Sequence, residues 1–197
     1  MKESDRNTDM NKQSMLQLKG IYLAPYMQLA TALIGKARHA GGNMFRHQID
    51  TLGILIDYGY IDGVLLKAAC IHDLIEDVPG YNQNSILEID SESAQVYELV
   101  LEVTKRKGQI KSDYLRGIIE HGSKKAKILK CADRISNMIS LGFVTDSSFI
   151  ERYCEETELY ILPIALNVDY DMYQELISLI ITRRKYLEDC GWFEKNK

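Results

Sequence analysis

The sequence predicts an all-α protein, and three observations support this prediction. Apolar residues recur mostly with the 3.6-residue period of a helix, and only 3 of the 197 residues are proline. No segment shows the strict apolar–polar alternation of a half-buried strand, and no hairpin turn signal is present. The chain is therefore expected to fold as a set of helices packed around a common core.

The amino-acid composition excludes several classes of protein. Apolar residues make up 46% and charged residues 26% of the 22.6 kDa chain, values typical of a globular domain and not of a disordered chain. A net charge of -4 argues against a generic nucleic-acid binder. No apolar run approaches the ~20 residues needed to span a bilayer, and the N-terminus lacks a secretory signal. Four scattered cysteines without a CxxC pair suit reduced thiols. We therefore expect a cytoplasmic protein with no membrane or nucleic-acid partner.

The N-terminal part divides into a tail and a first helical stretch. The polar residues 1–14 are expected to form a disordered tail, which leaves residues 15–197 as a single domain. Helical periodicity then covers residues 15–35, where Pro25 either kinks the helix or starts a second one.

The next two predicted helices follow a glycine-rich loop at residues 38–43. The first covers residues 45–58 and is followed by Gly59, which suits the position just past a helix end. Asp62 is placed to cap the second, residues 63–76, whose apolar composition predicts the central buried helix.

The second half of the chain continues with amphipathic segments. The clearest has an inner face formed by Val96, Leu99, Val100 and Val103. Ser123 is placed to cap a long helix that ends near Gly142. In order, these helices are predicted over residues 85–89, 91–104, 112–121, 124–140, 147–165 and 169–189.

The segment CIHDLIED is the first candidate for chemistry, because it gathers His72, Asp73, Glu76 and Asp77 at the end of an apolar helix. On a continuous helix, His72 and Glu76 are neighbours four residues apart, as are Asp73 and Asp77. The carboxyl end of a helix is already electronegative, so acids there need a compensating cation. A divalent metal ion is the simplest one; a solvated helix end is the alternative.

Two further segments carry side chains that could bind the same metal ion. His47 begins a helix whose other face is apolar, and Asp133 interrupts the apolar run LKCADRISNM. A buried carboxylate is costly unless it is paired or bound to a metal. Lys130, Arg134 and Asn137 share the face of Asp133, so pairing with Arg134 is the alternative to a metal.

Taken together, these motifs resemble those of the HD-domain phosphohydrolases, and more specifically the (p)ppGpp hydrolase domain of RelA/SpoT homologues in its stand-alone form, the small alarmone hydrolases. The resemblance covers about residues 30–167, in the order expected for the family. It is carried by GKARHAG followed by His47, by AACIHDLIED, by LVLEVTK, by the run from Ile128 to Met138, and by the later pairs Glu156-Thr157 and Pro163-Ile164.

The resemblance implies an HD-domain helical bundle and a role for each matched residue. One divalent ion, usually manganese in this family although another transition metal would serve, would be held by His47, His72, Asp73 and Asp133. Glu76 and Asp77 would be the catalytic acids that order and deprotonate water. A guanosine nucleotide would be contacted by Arg38, His39, Lys130, Asn137 and Ser140. The implied reaction is hydrolysis of the 3′-diphosphate of ppGpp or pppGpp to GDP or GTP and pyrophosphate, with no synthetase domain.

Three departures from the family pattern leave the substrate open. The family has proline after the first histidine where this chain has Gln48, a Pro-Tyr pair where it has Asn43-Met44, and a polar pair where it has His39-Ala40. Another nucleotide, such as NADPH or a nucleoside phosphate, is one alternative substrate. A metal-bound regulatory module without catalysis is the alternative from another class. The sequence also leaves a homo-oligomer open, because Trp192-Phe193 would suit either the last helix or a dimer contact.

Overall fold

The computed structural model describes residues 12–192, and this part of the chain is helical, with no strand. Its α-helices are α1 (Lys12–Gly20), α2 (Ala24–Ala30), α3 (Met44–Asp57), α4 (Gly63–Ile71), α5 (Leu74–Asp77), α6 (Asn84–Leu87), α7 (Ser93–Val103), α8 (Lys111–His121), α9 (Lys124–Ser140), α10 (Ser147–Glu156), α11 (Leu162–Val168) and α12 (Tyr170–Asp189). Within residues 12–192, no helix is both long enough and apolar enough to cross a bilayer.

The two chain ends are only partly covered. Residues 1–11 of the predicted tail, and Phe193, lie outside the described residues, so the tail prediction is untested there. Residues 12–14, also assigned to the tail, form the start of α1. Trp192 is half-buried and packs against the core.

Helices α4 and α9 form the centre of the bundle. Every residue of α4 from Val64 to Ile71 is buried, as the apolar composition predicts. Helix α9 packs against α3, α7, α11 and α12, and α4 packs against α2, α3 and α7. The four residues predicted for the inner face of α7 are all buried. The metal-ligand candidates are carried by α3, by the end of α4 and by α9, which are neighbours in the bundle.

Side-chain caps fix where several of these helices begin. Asp62 accepts a hydrogen bond from the Leu65 amide and Ser123 accepts one from the Ala126 amide, as the sequence predicts. Asn43 caps α3 in the same way, through the Arg46 amide. Because α3 begins directly after this cap, His47 lies in its first turn.

The predicted continuous helix over residues 63–76 is wrong, because α4 stops at Ile71 and α5 starts at Leu74. The Asp73 amide bonds the side-chain oxygen of Gln48 at 3.3 Å, and the Ala69 carbonyl accepts from His72 Nδ1 at 2.9 Å. In a regular helix these two backbone groups would bond each other. Side chains have therefore replaced the backbone hydrogen bond at the His72–Asp73 junction.

Two other predicted helices are divided at prolines. The segment 15–35 separates into α1 and α2, with Pro25 in the first turn of α2, one of the two outcomes expected for it. The segment 147–165 separates into α10, a π-helical turn (Thr157–Ile161) and α11, with Pro163 in the first turn of α11. Proline has no amide hydrogen to continue a preceding helix, so the ladder is interrupted before it.

Candidate active site

Side chains from separate helices meet in a buried cluster between α3, α4 and α9. The candidate ligand atoms of His47, His72 and Asp133 all lie within 4.8 Å of one another, and all three residues are buried. Asp133 Oδ1 lies 3.0 Å from His47 Nε2 and 3.8 Å from His72 Nε2. Asp73 Oδ2 lies 3.2 Å from His72 Nε2 and 3.5 Å from His47 Nε2. The structure thus brings together all four residues predicted from the sequence to hold a metal.

The outer nitrogen of each histidine ring is occupied, which leaves the inner one facing the cluster. His72 Nδ1 bonds the Ala69 carbonyl oxygen at 2.9 Å, and His47 Nδ1 bonds Ser136 Oγ at 2.9 Å. His72 Nε2 is buried and makes no hydrogen bond within the part of the chain that the structure describes. A ring that donates from Nδ1 presents the lone pair of Nε2, which is how histidine binds metals in proteins.

Asp133 is the most heavily engaged carboxylate of the cluster. Lys130 Nζ lies 2.7 Å from Asp133 Oδ2, and Asn137 Nδ2 donates to Oδ1 at 2.6 Å. The alternative that Arg134 pairs with Asp133 is wrong. The Arg134 guanidinium instead bonds Glu156 at 2.6 Å and the Thr157 hydroxyl at 3.1 Å. Lys130 therefore faces the cluster, while Arg134 holds the end of α10.

Opposite charges in this cluster shift the pKa values of its members. Burial alone would lower the pKa of His72, but Asp73 and Asp133 outweigh it and raise that pKa to about 10. Burial alone would raise the pKa of Asp133, but Lys130 and His47 outweigh it and hold the pKa well below its usual range. The pKa of Asp73 is lowered likewise, chiefly by His72. Both carboxylates are therefore anionic at neutral pH, as metal ligands must be, whereas His72 must release a proton from Nε2 before that nitrogen can bind a metal ion.

Gln48, which the sequence analysis noted only as a departure from the family pattern, contacts Asp73 directly. Its side chain is fully buried, and its Nε2 donates to Asp73 Oδ2 at 2.9 Å. Ser136, one helical turn beyond Asp133, was also missed. Its position three residues after Asp133 places it on nearly the same face of the helix, and this spacing is the sequence signal that could have identified it.

The two predicted catalytic acids line a cleft of about 200 Å³ beside the cluster. Glu76 accepts a hydrogen bond from the Lys105 amide at 3.0 Å, and Asp77 forms an ion pair with Lys36. Lys105, Lys111 and Lys130 line the same cleft. This cleft therefore combines acidic groups next to the cluster with ammonium groups suited to phosphate.

Of the five predicted nucleotide-binding residues, Arg38, His39 and Asn137 line an adjoining pocket, whereas Lys130 lines the acidic cleft and Ser140 lines neither. Arg38 donates to Asn137 Oδ1 at 2.9 Å and to Ser140 Oγ at 3.2 Å. His39 packs against Phe149 with ring centroids 4.6 Å apart. The pocket has a volume of about 200 Å³ and shares Met44, Asn137 and Tyr153 with the acidic cleft. Phe149 is a lining residue that the sequence analysis did not find.

Comparisons with known proteins agree with this architecture. No family model matches the chain. Mouse guanosine-3′,5′-bis(diphosphate) 3′-pyrophosphohydrolase MESH1 is 33% identical over 121 residues, which are 59% of this chain and 65% of the mouse protein; the human protein gives the same values. GTP pyrophosphokinase rsh of Brucella ovis is 27% identical over 162 residues, 79% of this chain but 21% of that protein. The chain thus spans about a fifth of the length of the Brucella relative.

A solved structure gives the fold. It belongs to a metazoan ortholog of SpoT, described as hydrolysing ppGpp and acting in starvation responses, and it superposes with a TM-score of 0.68. The superposition covers 89% of this chain and 97% of the other at 22% identity. The chain therefore has an all-α HD-domain fold, and its sequence is similar to proteins of the RelA/SpoT type. The predicted all-α HD bundle and the family resemblance are confirmed.

The donor set of this HD domain fits a divalent transition metal. Two imidazole nitrogens and two carboxylates form a mixed nitrogen–oxygen set, which suits manganese, iron or zinc better than calcium. The buried His72 Nε2, which has no hydrogen-bond partner among residues 12–192, supplies the independent structural sign that a ligand belongs there.

Proposed function

We propose that this HD domain hydrolyses the 3′-diphosphate of ppGpp or pppGpp, giving GDP or GTP and pyrophosphate. The observation that carries the proposal is the junction of the two pockets, where the histidine–aspartate cluster and the acid pair meet the pocket lined by Arg38 and His39. The names of the MESH1 relatives support the same substrate.

In the proposed reaction a water oxygen bonds to the phosphorus on the ribose 3′-oxygen, the bond between that phosphorus and the 3′-oxygen breaks, and the 3′-oxygen takes up a proton. We assign His47, His72, Asp73 and Asp133 to hold one divalent ion, with Mn²⁺ as the proposed resident. When bound, such an ion neutralises phosphate charge and lowers the pKa of water.

The remaining roles belong to groups that line the cleft. Glu76 accepts the proton of the attacking water, and Asp77, fixed by Lys36, orients that water. Lys105, Lys111 and Lys130 face phosphate oxygens. Arg38, ordered by Asn137 and Ser140, lies over the nucleobase together with His39. We place the reaction in the cytoplasm, which suits four cysteines that are all unpaired.

A substrate panel tests the proposal. Purified protein is incubated with Mn²⁺ and ppGpp, GTP or NADPH, with and without EDTA, and the released phosphate species are identified. We expect pyrophosphate from ppGpp only, and none in EDTA. Release from NADPH or GTP instead would assign another nucleotide, and turnover of none of the three would favour the non-catalytic module.

The Glu76→Gln variant tests the assigned base. We expect kcat to fall by about 10²–10⁴-fold, the usual contribution of a general base, with Mn²⁺ binding retained. The matched control is Glu98→Gln, on the exposed face of α7, which should keep full turnover. Equal activity of the two variants would remove Glu76 from the mechanism.

A further inference from the structure

We propose that Gln48 is a positioning residue that holds Asp73 in place as a metal ligand, an inference that rests on the metal site of the proposed function. Gln48 follows His47 directly in the first turns of α3, and its side chain is fully buried. The position is occupied by proline in the family pattern that the sequence otherwise resembles. Proline has no polar side chain, so a hydrogen bond from this position to Asp73 depends on the glutamine that this chain has there.

The amide of Gln48 matches both polar groups of Asp73. Gln48 Nε2 donates to Asp73 Oδ2 at 2.9 Å, and Gln48 Oε1 accepts from the Asp73 backbone amide at 3.3 Å. A carboxylate only accepts and a backbone amide only donates, so these two partners fix which end of the glutamine amide faces which group. Gln48 therefore restrains the backbone and the carboxylate of the same residue.

This restraint is needed because Asp73 lies where the helix is interrupted. Residues 72 and 73 fall between α4 and α5, and the Asp73 amide bonds Gln48 where a helix would supply a carbonyl. Without Gln48 that amide loses its partner, and the carboxylate is freer to rotate about its side-chain bonds. The oxygen that Gln48 holds is also the one that faces both histidines, at 3.2 Å from His72 Nε2 and 3.5 Å from His47 Nε2.

Hydrogen-bond partners of metal ligands typically change metal affinity by about 10–100-fold when they are removed. For Gln48→Met, which keeps the length and volume of the side chain but removes both hydrogen bonds, we expect a loss of Mn²⁺ affinity in that range. The measurement is titration of Mn²⁺ into EDTA-stripped protein, with free Mn²⁺ followed by its EPR signal. This readout does not depend on turnover.

The matched control is Thr51→Val, one turn further along α3. Thr51 is also fully buried, and its hydroxyl donates to the His47 carbonyl at 2.9 Å, so the variant likewise loses a buried hydrogen bond. It does not touch Asp73, and its Mn²⁺ affinity should equal that of the wild type. If circular dichroism shows that Gln48→Met is unfolded, Gln48→Asn replaces it, because the shorter amide stays polar but cannot span both partners.

A second comparison tests whether Gln48 acts through Asp73. In an Asp73→Ala background, Gln48→Met should cause no further loss of affinity, because the group it positions is gone. The proposal is overturned if Gln48→Met binds Mn²⁺ as tightly as the wild type, if Thr51→Val weakens binding equally, or if the wild type binds no Mn²⁺. If the wild type binds Mn²⁺ but releases no pyrophosphate from ppGpp, the proposed function fails while the Gln48 result still stands.

Discussion

At the scale of single residues, hydrogen bonds to the outer nitrogens decide what the two histidines offer. Ala69 and Ser136 each contact an Nδ1 atom, so each Nε2 is directed at Asp73 and Asp133. The two rings pack in a T-shaped arrangement, with centroids 5.2 Å apart. The cluster is thus oriented by groups outside it.

Phe149 should set the affinity for the nucleobase end of the substrate. Stacking of a base on an aromatic side chain contributes about 1–3 kcal/mol, so Phe149→Ala should raise KM for ppGpp by about tenfold or more. Because Phe149 lines the nucleotide pocket and not the acidic cleft, kcat should be little changed. Steady-state kinetics of pyrophosphate release provide the measurement.

Phe143→Ala is the matched control for this prediction, because Phe143 is 82% exposed and lies a short distance away in sequence. It should leave both constants unchanged. A fall in kcat with an unaltered KM in Phe149→Ala would contradict the assignment of this pocket to the nucleobase.

At the scale of elements, buried ion pairs join helices that the hydrophobic pattern alone would leave free to shift. Arg134 of α9 is buried and bonds Glu156 at the end of α10, while Lys111 of α8 lies 2.9 Å from the other Glu156 oxygen. The Arg134 guanidinium also lies 4.2 Å from the centre of the Tyr153 ring. One carboxylate therefore connects three helices beside the acidic cleft, which Lys111 and Arg134 line.

The ion pairs of Glu156 should make the stability of the protein depend on pH. Burial alone would raise the pKa of Glu156, but Arg134 and Lys111 outweigh it and hold the pKa below its usual range. A carboxyl group whose pKa is lower in the folded state than in the unfolded state stabilises the protein at pH values above its unfolded-state pKa. This stabilisation is lost as the pH falls through the folded-state pKa. Glu156→Gln should therefore be less stable by about 2 kcal/mol at neutral pH.

Urea unfolding at neutral pH and near pH 3 measures this effect. The difference between the variant and the wild type should shrink at the acidic pH, which lies below the usual pKa of glutamate, because the unfolded wild-type chain then binds a proton at Glu156. Glu120→Gln, at a side chain that is 62% exposed, should show no difference at either pH. A gap of equal size at both values would mean that the charge of Glu156 is not what stabilises the helices.

Lys67 shows how burial changes the value of an ion pair. It is buried in the middle of α4 and lies 2.8 Å from Asp90 and 2.6 Å from Glu92, ahead of α7. Lys67→Ala leaves the Asp90 carboxylate, which is 23% exposed, without its cation, so it should lower the free energy of unfolding by about 2 kcal/mol.

The surface pair of Lys125 and Asp62, with both side chains more than 40% exposed, provides the comparison in the same urea experiment. Lys125→Ala should cost less than about 1 kcal/mol, because water screens that pair. If the two variants lose similar amounts of unfolding free energy, the ion pairs of Lys67 contribute no more to stability than a surface ion pair does.

At the scale of the whole molecule, the candidate metal site joins parts of the chain that are distant in sequence. His47, His72 and Asp133 meet only in the folded state, so an ion bound there should stabilise the native protein. At a free ion concentration about 100 times its dissociation constant, the gain is about 2.7 kcal/mol. For a protein of this size the melting temperature should then rise by about 5–10 °C.

Thermal unfolding of EDTA-stripped protein, with and without added Mn²⁺, measures this shift. Asp133→Asn, which removes the anionic ligand but keeps its shape, should show little or no rise. A rise of the same size in Asp133→Asn would place the bound ion somewhere else.

The helical fold, the order of the helices and the segments that carry the site could all be predicted from local sequence patterns. Amphipathic periodicity placed α7 and its buried face, and the capping residues Asp62 and Ser123 placed the starts of α4 and α9. These features depend on neighbours within one or two helical turns, so they can be read along the chain. The linear motifs likewise named the four residues that meet in the cluster.

Contacts between side chains on different helices of the bundle could not be predicted in this way. The helix break at His72–Asp73 depends on the side chain of Gln48, which lies on another helix. The partner of Arg134 is Glu156, at the end of α10. Lys130, and not its neighbour Arg134, pairs with Asp133. These contacts depend on how the helices pack, and the relative rotation and translation of two helices are set by side chains far apart in sequence, which no local pattern encodes.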